Sequence, residues 1–263
     1  MPPPSLTILR SYARRADPGS LPPSILLTHT EHTLTIFDAY PKSIFHFLVL
    51  PRVIPPLTAS DLSSFKSVLK GDKSRAKEVI GWLAEDAKQV RSMIEDEMMT
   101  RYHCKWDVWM GFHAVPSMEH IHLHVLSADL CSPSMKNKKH YNSFHPKRGF
   151  FVPLSVVQEW LEAEPSYFAT MSQLKPSQYE PLLKEQLECW KCNREFKTMP
   201  LLKAHLQGEW EAEAKQEKAK LERKRKRTPD EQENLEGNAD SKEDEPNHKR
   251  QAQAHSGSPV ASS

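Results

Sequence analysis

Eight residues, HIHLHVLS at positions 120–127, constrain this chain more tightly than any other stretch. Along a β-strand, alternate side chains share a face. The spacing therefore predicts a strand with His120, His122 and His124 on one side and Ile121, Leu123 and Val125 turned into a core. Three adjacent imidazoles destabilise a strand unless each finds a partner, since protonated neighbours repel and unpaired ring nitrogens are costly to bury. A His-rich polar strand face is the plain reading. A metal site is the second, because H-x-H on a strand suits zinc or iron. The third is covalent catalysis at phosphorus, with a neutral imidazole attacking while its neighbours hold the phosphate oxygens.

The 263 residues leave ample room for a core, as one or two domains. No apolar run is long enough to span a membrane, and the first residues lack the basic start and apolar run of a signal peptide. Of the four cysteines, Cys104 and Cys131 stand alone and Cys189 and Cys192 form a C-x-x-C pair, which points to metal or redox chemistry in a reducing compartment. The pattern predicts a short helix near Leu6–Arg14, then two or three β-rich runs over 24–52 broken by the turn at Tyr40–Lys42. Within them FHFLVLP suits a central strand. Residues 73–100 carry Val79, Trp82, Leu83, Ala87, Val90, Met93 and Ile94 at helical spacing. WDVWMGFHA reads as a strand, and 154–163 and 179–187 as short helices. From about Lys215 the chain turns strongly basic. The tail, 226–263, is polar and expected to be disordered, having too little apolar surface to offset ordering entropy.

After C-x-x-C come Phe196, Leu202 and His205 at the spacing of a Cys2His2 finger, but the fourth ligand position holds neither His nor Cys. Glu209 lies four residues beyond His205, one helical turn on, and a carboxylate is an acceptable zinc ligand. Cys189, Cys192, His205 and Glu209 are thus the expected set, in preference to a water or Glu213 in the fourth place. The helix from Leu201 toward Arg223 brings Lys203, Lys215, Lys218 and Lys220 to a surface suited to a phosphate backbone, and KRKR at 224–227 is a candidate nuclear import signal.

The segment GFHAVPSMEHIHLHVLS resembles the histidine-triad family, whose signature of alternating histidines and apolar residues runs unbroken from His120 to Leu126. With DAYPK, KNKKHYNSF and the finger following in order, the chain resembles the aprataxin branch of that family, in a shorter form without the amino-terminal FHA domain. The resemblance implies an α+β fold: an antiparallel histidine-triad sheet with flanking helices over 1–165, then a small zinc-finger domain over 166–225. It implies a DNA-repair hydrolase, an adenosine-5'-diphospho-5'-[DNA] diphosphatase that removes AMP from 5'-adenylated DNA through a covalent His–AMP intermediate. Nicks, ends and RNA–DNA junctions remain open as substrates. His122 would be the nucleophile; His113 and His124 would contact the phosphates or assist the leaving group, and His120 would orient His122. Asp38 would meet the ribose hydroxyls within the stretch Asp38, Ala39, Tyr40, Pro41 and Lys42, although a turn-capping role for Asp38 fits the sequence equally. Ser117 would donate to a phosphate, and Lys42, Lys139, Cys131 and Ser132 would meet the DNA strand. One structural Zn2+, no catalytic metal, a monomer, no membrane, and a finger that grips DNA away from the histidine pocket complete the expectation. The alternatives are a hydrolase of small nucleotides and a non-catalytic nucleic-acid adaptor.

Overall fold

The computed structural model describes residues 6–236, with side chains through residue 223. The chain divides into two units, Met1–Lys218 and Ala219–Ser263. The first holds six antiparallel strands: β1 (Leu26–His29), β2 (Thr33–Phe37), β3 (His46–Pro51), β4 (Val108–His113), β5 (Leu123–Ser127) and β6 (Phe151–Pro153). Their order is β1-β2-β3-β5-β4-β6, so FHFLVLP forms an interior strand as its apolar run predicts.

A short helix α1 (Ile8–Ala13) falls within the expected Leu6–Arg14, and one face of the sheet is covered by α2 (Phe65–Lys70), α3 (Lys73–Tyr102) and α5 (Leu154–Glu162). Helix α3 starts at Asp72, whose carboxylate accepts the Arg75 N–H at 2.8 Å, and ends with His103 in the left-handed conformation. Val79, Ile80, Leu83, Ala84, Ala87, Val90, Ile94 and Met98 meet Val49, Ile121, Leu123 and Val125 in the main core. Met93, counted in the helical pattern, is 48% exposed; Ile80, Ala84 and Met98 fill the stripe instead.

The expected strand at 120–127 begins only at Leu123. His120 sits at φ +84°, and the N–H groups of His120 and Ile121 donate to Ser63 and Leu62 carbonyls, each at 2.8 Å. This tether to the preceding loop breaks the strict alternation at its first histidine.

On the second sheet face, β3, β5 and β4 set Leu48, His124 and Gly111 side by side. Gly111 is required there, because a Cβ would lie 2.6 Å from the Val152 carbonyl oxygen and 2.7 Å from the Phe151 ring. Helix α4 (Lys138–Phe144), not foreseen as a helix, covers part of this face after an Asn137 cap whose Oδ1 accepts the His140 N–H at 2.9 Å. Short helices α6 (Pro165–Met171) and α7 (Pro176–Tyr179) and a 3-10 turn at Glu180–Lys184 follow. The expected helix at 179–187 is therefore that tighter turn, running into β7 (Leu187–Glu188), which pairs with β8 (Glu195–Phe196).

The last helix, α8 (Met199–Glu236), buries Leu202 and Leu206 and sets Trp210 edge-on against Tyr102 and Trp106, both centroids 5.4 Å away. Finger and sheet share one core: Leu126, Tyr141, Phe144 and Phe151 pack with Leu187, Cys189, Phe196 and Leu202. The boundary drawn near residue 165 is thus no break in packing, since the first unit runs on to Lys218. The tail drawn from 226 is helical through Glu236; residues 237–263 lie outside those described. No helix among the described residues is long and apolar enough to cross a membrane.

Candidate active site

A cavity of about 740 Å³ opens on the second sheet face. Its walls include Asp38, Tyr40, Lys42, His46, His113, Ser117, His122, His124 and Lys139, so most of the expected residues converge. His113 and His124 lie tilted against each other at a 4.4 Å centroid distance, and His122 meets His124 edge-on at 4.9 Å. Ala39, Pro41, His120, Cys131 and Ser132 lie outside the lining. Ser132 donates its hydroxyl to the Pro41 carbonyl and so braces the loop that carries Tyr40 and Lys42. Cys131 donates weakly to Asp129, and its thiol is pushed up to about 12 by burial and by that carboxylate, which leaves it inert.

The hydrogen bonds assign the ring tautomers. His122 Nδ1 donates to the His120 carbonyl at 2.8 Å, so His122 Nε2 carries a free lone pair. His120 thus acts through its backbone, while its own fully buried ring reaches the Pro51 carbonyl at 2.7 Å. The Lys42 N–H donates to His46 Nδ1 at 3.1 Å, so His46 carries its proton on Nε2 and donates it to His124 Nδ1 at 3.0 Å. His124 then carries its own proton on Nε2, an atom with no protein partner in the cavity wall. That leaves one bare nucleophilic nitrogen on His122 beside one free N–H donor on His124, the pairing that attack at a phosphorus and stabilisation of its oxygens require.

Burial keeps these rings neutral. It lowers His122 and brings His46 down to about 4 against the opposing pull of Asp38. His113 and His124 fall well below the usual imidazole range through burial, neighbouring imidazoles and Lys42. Lys42 is itself lowered, chiefly by burial. Asp38 caps the turn, its Oδ1 accepting the Tyr40 N–H at 2.7 Å, while its Oδ2 lies 3.6 Å from His46 Nε2 at the cavity wall.

Sequence reasoning missed His46, whose signal was a lone buried polar residue inside the apolar run FHFLVLP. It also missed Phe144, whose ring lies 4.5 Å from His113, 5.1 Å from His124 and 5.4 Å from His46. Ser143, His140, Leu183 and Lys184 complete that wall, brought in by long-range packing that no local pattern announces.

Asp38, His46 and His124 also place three potential metal donors within 4.8 Å of one another. A cation there needs the lone pair of His46 Nε2, which the Lys42 N–H on Nδ1 leaves protonated. The Lys42 charge, close enough to depress His46 and His124, opposes a cation further.

The second cluster is different in kind. Cys189, Cys192 and His205 also gather within 4.8 Å, with Cys192 Sγ 3.2 Å from His205 Nε2. Glu209 Oε1 lies 3.5 Å from that same nitrogen. Zinc at ordinary bond lengths spaces tetrahedral S and N ligands by about 3.5 Å, so Cys189, Cys192 and His205 fit the ion, while Glu209 lies outside their close group. Glu213, the rival fourth ligand, is paired with Lys191. Asn193 in the left-handed conformation closes the knuckle, its N–H on the Cys189 carbonyl at 2.9 Å.

A family model described as a C2HE / C2H2 / C2HC zinc-binding finger matches residues 147–212, and one described as scavenger mRNA decapping enzyme C-term binding matches residues 11–140. Aprataxin of Gallus gallus is 32% identical over 72% of this chain and 52% of its own length. The aprataxin-like protein of Saccharomyces cerevisiae is 31% identical over 66% of this chain and 82% of its own length. A crystal structure of the aprataxin ortholog Hnt3 in complex with DNA superposes with a TM-score of 0.57 at 26% identity, covering 79% of this chain and 96% of that one. The chain spans about half the length of the chicken relative.

Proposed function

The chain belongs to the aprataxin family of histidine-triad proteins with a C2HE-type finger, and from that premise we propose that it removes AMP from 5'-adenylated DNA. The observation that carries this reading is the bare Nε2 of His122 beside the free Nε2–H of His124. His122 Nε2 attacks the AMP phosphorus. The bond from that phosphorus to the bridging oxygen breaks, and the 5'-phosphorylated DNA leaves with the electron pair. The attacking ring becomes an imidazolium whose remaining proton, on Nδ1, stays on the His120 carbonyl. His124 Nε2–H, Ser117 and Lys42 face the oxygens on which charge accumulates. A water then attacks that phosphorus; the P–N bond breaks with its electron pair returning to His122 Nε2, the water releases one proton to solvent, and AMP departs from neutral His122. Asp38 at the cavity wall supports a contact with the ribose hydroxyls. Lys42, Lys139 and Lys184 give the mouth the charge a phosphate backbone needs. The attack itself uses an imidazole nitrogen, and the proton on His46 Nε2 and the Lys42 charge support a route without a catalytic metal. A single structural zinc belongs in the finger, held by Cys189, Cys192, His205 and Glu209. The basic run 224–227 supports a nuclear address.

Incubation with 5'-adenylated nicked DNA tests this directly. AMP release, with a rapidly quenched AMP adduct mapped to His122 by mass spectrometry, is the expected result. Turnover without any adduct sinks the covalent route. The match of residues 11–140 to a decapping-enzyme model favours one second reading, a hydrolase of small nucleotides. Faster turnover of free dinucleotides than of adenylated DNA would establish it.

A further inference from the structure

Helix α4 has two working faces. One lines the cavity with Lys139, His140, Ser143 and Phe144. From the other, the Tyr141 hydroxyl donates to the Glu188 carbonyl at 2.8 Å and accepts the Trp190 N–H at 3.0 Å. Glu188 and Trp190 flank Cys189, so one phenol grips the chain on both sides of a zinc ligand. The next residue, Asn142, donates to the carbonyls of Leu183 at 3.2 Å and Glu185 at 2.9 Å, fixing the turn from which Leu183 and Lys184 enter the cavity. Seven residues make too short a helix to persist on its own, so these tethers set where α4 lies. Phe144, three residues beyond Tyr141, presses on His113, His124 and His46. Tyr141, Phe144 and Cys189 belong to the same buried cluster.

We propose that the metal-loaded finger positions the cavity wall itself, with Tyr141 and Asn142 as the positioning residues that carry the state of Cys189 to Phe144 and the imidazoles. The finger then governs how well a small adenylate binds, even one that never touches it. This goes beyond the expectation of a finger that grips DNA away from the histidine pocket. As an effect on affinity, it rests on the reading of the cavity as an adenylate site.

Two readouts keep the failures apart. The first is the ring-proton NMR signals of the histidines in the full chain, which the current of the Phe144 ring shifts whether or not AMP binds. The second is the Kd for AMP. Removing zinc with a chelator shifts the His113 and His124 signals and weakens AMP about tenfold, as a wall displaced by about an ångström would. Tyr141→Phe, which deletes one hydroxyl and keeps the ring, retains its zinc yet reproduces the signal shifts and much of the affinity loss. Zinc removal from that variant adds no more than about twofold. Histidine signals unmoved by zinc removal, or a Tyr141→Phe protein with wild-type signals and affinity, overturns the proposal. Shifted signals in a protein that binds no AMP support the positioning and overturn the adenylate reading instead.

Discussion

The chain gathers metal-capable donors twice, and the two clusters behave in opposite ways. Around His46, His124 and Asp38 the two imidazoles are buried and the carboxylate half-buried, the tautomers are fixed by neighbouring N–H groups, and a lysine ammonium stands close by. Around Cys189, Cys192 and His205 the donors are soft thiols beside a carboxylate, and Cys192 is exposed. Donor count and spacing are alike. What separates them is where the protons sit and what charge lies near: the first set holds an N–H donor on His124 beside the bare nitrogen of His122, the second gathers soft donors suited to a cation.

The largest effect expected from breaking this contrast is at His122. His122→Ala lowers AMP release by more than about a hundredfold while DNA affinity barely moves, because only His122 forms the covalent bond. Single-turnover kinetics beside a binding titration check it, and residual activity above that level argues against a covalent nucleophile.

Cys189→Ala takes the zinc content from one equivalent to none and unfolds the finger, whose folding draws on the ion. Because Cys189 lies in a core shared with Tyr141 and Phe144, the melting temperature of the first unit falls as well. Elemental analysis and calorimetry measure both. Full zinc occupancy in a Cys189→Ala, Cys192→Ala double variant would move the metal to the histidines.

Acid distinguishes the clusters next. Burial holds His46, His120 and His145 at about 4 in the folded chain, below the unfolded value of about 6.5. Between those values the unfolded chain binds protons that the folded chain refuses. Stability is therefore complete above about pH 6.5 and falls by several kcal/mol in all as the pH drops toward about 4. A melting temperature that stays level across that window in the zinc-loaded protein contradicts neutral buried imidazoles.

A smaller effect belongs to His46. His46→Leu removes the donor to His124 Nδ1 and lowers kcat about ten- to a hundredfold with little change in KM, while zinc content stays at one equivalent. His46→Gln, which returns an N–H near the lost Nε2, recovers part of the rate. Equal losses in both variants would reduce His46 to packing.

The mildest change is Glu209→Gln, which weakens zinc about tenfold, since three ligands remain and water fills the fourth place. Glu209→His restores or tightens the site. Competition against a zinc chelator of known affinity orders the three proteins, and a Glu209→Gln protein with wild-type affinity removes the carboxylate from the set.

Much of both sites was legible without the fold. The spacings that mark them are short: three histidines within five residues, C-x-x-C, and His205 to Glu209 across one helical turn. Chain connectivity alone brings such neighbours together, so the sequence by itself set His122 beside His124, Cys189 near Cys192 and Glu209 one turn beyond His205, and marked the amphipathic helix that roofs one sheet face. The strand's true start was decided elsewhere, by the Ser63 and Leu62 carbonyls that pull His120 and Ile121 out of register. Only the tertiary structure brought His46 onto His124, across 78 residues, and so chose which nitrogen of His124 keeps its proton. Only the tertiary structure turned KNKKHYNSF into a helix with the finger on one face and the histidines on the other. Both depend on pairing groups far apart in the chain, whose geometry is set by packing and by the satisfaction of buried polar atoms, and neither leaves a periodic trace in the sequence.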